Sequence, residues 1–202
     1  DSCTLPSISY PSALALGDST KSAFATSGEA SRNGRRSRLP PPMKTAGLDT
    51  FCPQNVEAAG CERYDDLHSL LRDCDVITLH SPLTPETRNM ISAKEFAVMK
   101  PGAMLINTSR GPIVNAQDLA DALNSGKIAC AGVDVYEEEP AKLSDPVFSA
   151  KNMICTPHAA ALTNEGNARM ASMCAEGCLA VCRGEQWPRV ADKKVYEHPR
   201  FA

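Results

Sequence analysis

Three side chains stand where short apolar runs stop, and their types suit proton exchange beside an anion. Arg110 follows the run at 103–106, within Asn107-Thr108-Ser109-Arg110-Gly111. Glu139 ends the run Glu137-Glu138-Glu139 before Pro140, after the stretch 128–135. His158 follows Pro157, after 152–155. A guanidinium is always charged, and its planar fork matches a carboxylate. An imidazole exchanges a proton near neutrality, and a carboxylate beside it favours its charged form. Each residue alone has an ordinary reading. Strand-end arginines make surface salt bridges, histidines after proline sit in solvated loops, and glutamate runs before proline form charged turns.

The elements that must position these residues follow from apolar period and punctuation. Strands are expected at 43–48, 75–79, 103–106, 128–135 and 152–155. The β-branched run Asp75-Val-Ile-Thr-Leu79 reads as fully buried. Helices are expected at 66–73, at 92–99 behind the capping box Ser92/Glu95, at 115–125 between Asn115 and Gly126, and at 163–183. A short helix or turn is expected at 56–60. Strands and helices alternate about every 25 residues, the pattern of a parallel sheet with helices on its faces. Ligands of such sheets bind beyond the carboxyl ends of the strands. Asp49 and Ser81-Pro82 also stand at strand ends, so five polar strand ends line one crevice.

The runs DVITLHSPLTPETRNMI, LINTSRGPIVN, GVDVYEEEP and TPHAAALT occur in that order. They strongly resemble the D-isomer-specific 2-hydroxyacid dehydrogenases, over roughly residues 43–199. The tail CRGEQWPRVADKKVYEHPRF resembles the segment by which that family returns to its substrate domain. The resemblance implies an α/β, Rossmann-like parallel sheet with helices on both faces. It also implies an NAD-dependent oxidoreductase that interconverts a D-2-hydroxy acid and a 2-keto acid. By resemblance, Arg110 grips the substrate carboxylate and carbonyl. His158 is the general acid in reduction and the base in oxidation. Glu139 hydrogen-bonds the imidazole, and the motif alone selects it over Glu137 and Glu138.

The resemblance also assigns cofactor positions. Asp49 ends the strand where dinucleotide folds hold the adenosine ribose, and a carboxylate there favours NAD over NADP. Ser81 and Pro82 line the adenine–ribose side. Thr108, Ser109, Arg110, Asp134 and His158 meet the nicotinamide end, with Asp134 placed to bond the carboxamide. Ala159, Ala160 and Ala161 are small enough to let the ring lie close to the backbone. No metal is implied. A homodimer is implied for the complete family form.

The N-terminal part departs from the family. A Rossmann domain carries G-x-G-x-x-G about 20 positions before its acidic residue. Counting back from Asp49 reaches Ser27-Gly-Glu-Ala-Ser-Arg-Asn-Gly34, and none of the twelve glycines forms a G-x-G pair. Residues 1–42 are rich in Ser, Ala, Pro, Gly and Arg and end in Pro40-Pro-Pro42. They are expected to form no regular element. The organisation expected is therefore 1–42 disordered or mis-specified, 43–183 a partial NAD-binding domain, and 184–202 a C-terminal segment of the substrate domain. Two explanations stay open for the first part: a real, shortened protein, or a frame or splice error upstream of Met43. The chain as written is expected to turn over poorly. The alternatives are a non-catalytic NAD-binding scaffold and a non-functional fragment.

Composition narrows the partners. Net charge is −3 with both signs mixed, so there is no electrostatic case for nucleic acid or an anionic membrane surface. No run of 18 apolar residues exists to span a membrane. The small acid is the expected partner. The nine cysteines form no C-x-x-C, and several sit in apolar strand or helix patterns. That usage fits the reducing cytoplasm. Cys174, Cys178 and Cys182 share one helix face, which reads as a packing face.

Overall fold

The computed structural model describes residues 22–27, 44–50 and 53–197, and for 22–27 the backbone course alone. The chain divides into two compact units, Asp1–His158 and Ala159–Ala202. The division falls after His158, and the long C-terminal helix goes with the tail.

The first unit is built on a seven-stranded sheet. Its strands are β1 (Ser22–Ser27), β2 (Lys44–Asp49), β3 (Glu62–Arg63), β4 (Val76–Leu79), β5 (Ala103–Asn107), β6 (Ile128–Val133) and β7 (Met153–Cys155), in the order β3-β2-β1-β4-β5-β6-β7. β2 and β3 are parallel, as are β4 through β7. β1 runs antiparallel to both of its neighbours, β2 and β4. The expected parallel order is kept from β4 through β7. Residues 1–42 contain a regular strand, and that strand pairs the inner edges of β2 and β4. The sheet is accordingly mixed rather than all parallel. Residues 1–21 and 28–42 lie outside the described residues.

Four helices pack on this sheet: α1 (Pro53–Ala58), α2 (Leu67–Asp73), α3 (Ala93–Val98) and α4 (Ala116–Asn124). The starts of α2, α3 and α4 are fixed by side chains that satisfy otherwise orphaned N–H groups. The Asp66 carboxylate accepts from Ser69 N at 2.8 Å, and Asn115 Oδ1 accepts from Asp118 N at 3.1 Å. Glu95 reaches back to accept from Ser92 N at 3.1 Å, completing the capping box. Gly126, at φ +76°, turns the chain out of α4 in the left-handed conformation that suits glycine.

The core lies on one face of the sheet. Ile77, Leu79, Leu105 and Ile128 from the strands meet Leu70, Leu71, Phe96 and Leu119 from the helices. Each such side chain stabilises the fold by about 1.5–3 kcal/mol of transfer free energy. Alternation along the strands presents the other set of side chains to the opposite face. Val76 and Thr78 are half-buried there, so β4 is not buried on both sides as its composition suggested. Met104 and Ile106 are each 39% exposed, and Ile154 is 70% exposed.

The second unit holds α5 (Asn164–Cys182), which runs through Gly166 and Gly177 without a break. Thr163 caps it by accepting from Gly166 N at 2.9 Å. Beyond it, Trp187 N donates to Tyr196 Oη at 2.6 Å. Cys174, Cys178 and Cys182 are exposed, against the expectation of a packing face. Cys155 is exposed as well, while Cys61 and Cys74 are core residues. Among the described residues no helix is long and apolar enough to cross a membrane.

Candidate active site

The turn after β5 is organised by its first residue. Asn107 is 1% exposed. Its Oδ1 accepts from Ser109 N at 3.1 Å and from Ser109 Oγ at 2.9 Å. Its Nδ2 donates to Arg110 O at 3.0 Å. One buried amide thus fixes the backbone that carries Arg110, an Asx-type turn at the strand's carboxyl end. The Arg110 side chain is exposed, with Nη1 donating to Ser109 O at 2.6 Å. A 3-10 turn, Gly111–Ile113, follows at once.

The turn after β6 separates the three glutamates. Glu137 pairs with Arg88 at 2.9 Å. Glu138 pairs with Lys142. Glu139 turns inward, and its Oε2 lies 2.6 Å from His158 Nδ1. Geometry therefore distinguishes what composition left equal. The other Glu139 oxygen accepts from Tyr136 N at 3.2 Å. The bond to His158, followed by that backbone bond and the charge of Arg110, holds the Glu139 carboxyl below the usual glutamate range.

The turn after β7 carries His158 in a left-handed conformation, φ 52°. A non-glycine residue keeps that conformation only where its surroundings insist on it. Here the His158 N–H donates to Asp134 O at 2.8 Å. Thr156 Oγ1 donates to Asp134 Oδ1 at 2.5 Å. Asp134 is 2% exposed, so β6 and β7 are tied together directly beneath the imidazole. A cavity of about 450 Å³ adjoins the pair, lined by Tyr136, Phe148, Cys155 and His158 among others.

The cofactor positions fall into two groups. Asp49 and Ser81, each 2% exposed, end β2 and follow β4. Pro82 is exposed, and its carbonyl accepts from Thr87 Oγ1 at 2.7 Å. Thr108 is exposed and Ser109 half-buried, both in the turn that Asn107 holds. Ala159, Ala160 and Ala161 open the second unit. An acid thus ends β2, and polar groups stand at the ends of β5 and β6. Ser22 of β1 pairs with Asp49 and Ser27 with Lys44, so β1 ends at the edge of the sheet opposite Asp49.

Three residues of the site were not singled out from sequence: Asn107, Tyr136 and Thr156. Asn107 carried a readable signal, since asparagine at a strand end favours an Asx turn. Tyr136 and Thr156 carried none, because their partners lie 20 residues apart in sequence.

Comparison with known proteins identifies the family. The family model described as "D-isomer specific 2-hydroxyacid dehydrogenase, NAD binding domain" matches residues 35–160. A glyoxylate reductase of Thermococcus litoralis is 44% identical over 143 residues, covering 71% of this chain and 43% of the relative. A hydroxypyruvate reductase of Blautia hydrogenotrophica is 44% identical over 128 residues, covering 63% of this chain and 39% of the relative. The crystal structure of D-lactate dehydrogenase with NAD+ from Lactobacillus jensenii superposes with TM-score 0.64 at 32% identity, over 72% of this chain and 47% of that one. The chain therefore spans less than half the length of these curated relatives. With the matched segment covering most of the sheet and its carboxyl-edge turns, the chain belongs to the D-isomer-specific 2-hydroxyacid dehydrogenase family, in its NAD-binding domain.

Proposed function

We propose that this chain carries the acid–base half of an NAD-dependent enzyme interconverting a D-2-hydroxy acid and a 2-keto acid. The observation that carries the reading is the 2.6 Å contact between His158 and Glu139, with Glu137 and Glu138 engaged elsewhere. Glu139 occupies Nδ1, so Nε2 is left to face the substrate. In reduction, a protonated His158 gives the Nε2 proton to the carbonyl oxygen at C2, which becomes the hydroxyl. Glu139 stabilises the imidazolium and fixes the ring. Arg110 binds the substrate carboxylate with its fork and polarises the carbonyl. When bound, NAD supplies the hydride chemistry.

Asp49 would bond the ribose hydroxyls, with Ser81 and Pro82 beside the adenine. Thr108, Ser109 and Asp134 would serve the nicotinamide end, and Ala159–161 would let the ring lie close. Small 2-keto acids such as glyoxylate and hydroxypyruvate are the substrates to try, since the similar reductases are named for them. A homodimer and a cytoplasmic setting belong to the same reading. The test is a chimera in which the N-terminal part of the Thermococcus litoralis enzyme precedes Lys44. NADH oxidation with glyoxylate or hydroxypyruvate is expected, and it should collapse in His158→Ala. Turnover that survives His158→Ala would overturn the assignment.

A further inference from the structure

Tyr136 touches the framework of all three proposed catalytic residues. It follows β6 and is 9% exposed. Its N–H donates to Glu139 Oε1 at 3.2 Å. Its hydroxyl donates to Thr156 O at 2.9 Å, two residues before His158. That same carbonyl accepts from His158 N at 3.1 Å. On the third side, its backbone lies against Gly111, the neighbour of Arg110. A Cβ added at Gly111 would stand 2.0 Å from Tyr136 C and O, so only glycine permits this approach. The ring is held in turn by Phe148, stacked at 5.4 Å between centroids and 28° between planes.

We propose that Tyr136 is a positioning residue for the acid–base pair: its backbone N–H orients Glu139 while its hydroxyl anchors the turn that presents His158. The inference rests on the dehydrogenase reading and deepens it. A turn in the left-handed conformation needs external bonds to keep its geometry. The hydroxyl supplies one such bond from the neighbouring strand end. It donates to a carbonyl that the His158 N–H already uses, so it fixes Thr156 rather than the imidazole itself. Burial, then the neighbouring Cys155 thiol and the acidic Asp134 and Asp145, push the phenol up to about 12, so it stays a donor throughout the working range of the pair.

The experiment is a carboxyl ¹³C titration of Glu139 by NMR, on the chain itself. Tyr136→Phe removes one hydroxyl and keeps the ring and the backbone N–H. The expected result is that the Glu139 carboxyl, held low by His158, rises toward its ordinary value of 4.5 while the urea midpoint changes little. Phe148→Leu loosens the ring but keeps the hydroxyl, and should leave the Glu139 titration in place. An unchanged titration in Tyr136→Phe, or an equal shift in Phe148→Leu, overturns the proposal. Should Tyr136→Phe fail to fold, the unmutated chain decides: a slowly exchanging Tyr136 hydroxyl proton supports the bond, and its absence overturns it. The underlying reading fails differently. If His158→Gln leaves the Glu139 titration untouched in the unmutated background, the pair itself does not exist, whatever Tyr136 does.

Discussion

The Nδ1 of His158 lies 2.6 Å from Oε2 of Glu139, which leaves the imidazole a single nitrogen for a reacting oxygen. In the chimera described above, His158→Ala should lower turnover by about 10²–10⁴, the usual weight of general acid–base catalysis. Glu139→Gln should cost less, because the ring keeps a hydrogen-bond partner and loses only its stabilising charge. The Glu139 carboxyl is held below its ordinary value by the bond to His158. The Glu139 carboxylate is therefore ionised above 4.5 and is protonated only as pH falls through the lower, folded value. The Glu139→Gln defect should accordingly persist across neutral pH. Steady-state rates from pH 4 to pH 9 check this, and a defect confined to alkaline pH would contradict it.

Asp49, 2% exposed at the end of β2, should select the unphosphorylated ribose. A carboxylate accepts both ribose hydroxyls and repels a 2′-phosphate. Preference for NAD over NADP in the chimera should reach about 1.5–3 kcal/mol, the range for a hydrogen bond to a charged group. Asp49→Ala should narrow it. Titration calorimetry showing equal affinities in the unmutated chimera would sink the idea.

Stability in acid should depend on Glu95, which is 5% exposed. Its carboxylate accepts from Ser92 Oγ at 2.7 Å and meets His68 Nε2 at 3.0 Å. Desolvation acts to raise its pKa, but the bonds from Ser92 and His68 together prevail and lower it. The sign follows: a depressed carboxylate stabilises the fold above the unfolded value and ceases to do so as pH falls through the folded one. Glu95→Ala should cost about 1.5–3 kcal/mol near neutrality, through a lost charged hydrogen bond and capping box. The gap between mutant and parent should close below pH 4.5. Urea melts at several pH values measure it, and a constant gap would show that Glu95 acts through packing alone.

Much of this was legible in the sequence. The Ser92/Glu95 box, Asn115 and Gly126 mark helix ends by local chemistry, and α3 and α4 begin and end beside them. Arg110, Glu139 and His158 could be placed at strand ends because each follows an apolar run. The choice among Glu137, Glu138 and Glu139 rested on motif alone, since Arg88 is 49 residues from Glu137 in sequence. Strand β1 was not legible. Ser22–Ser27 has no alternation of large apolar and polar side chains, and one of its two partners, β4, lies about 50 residues away in sequence. The half-exposure of β4 was hidden for a related reason. Val76 and Thr78 read as buried by type, and only the arrangement of layers shows which face is half-exposed.

The reversal of β1 leads to a prediction against the family's activity for residues 1–202 alone. In a dinucleotide fold the first strand runs parallel to its neighbours, and a glycine-rich turn at its carboxyl end feeds a helix whose N–H groups hold the pyrophosphate. Here Ser27 pairs with Lys44 at the far edge of the sheet, and Ser22 stands beside Asp49. No G-x-G pair exists among the twelve glycines to form such a turn elsewhere. Among the described residues, no such turn joins the proposed adenosine and nicotinamide positions. Met104, Ile106 and Ile154 also leave an apolar sheet face exposed, which favours association over a well-behaved monomer. The chain expressed by itself should therefore show no saturable NADH oxidation with glyoxylate or hydroxypyruvate, and should bind NAD no more tightly than adenosine. Absorbance at the NADH band and calorimetry with both ligands provide the test. Robust turnover, or a clear gain in affinity from adenosine to NAD, would mean that another part of the chain holds the pyrophosphate. The reading of β1 would then be wrong.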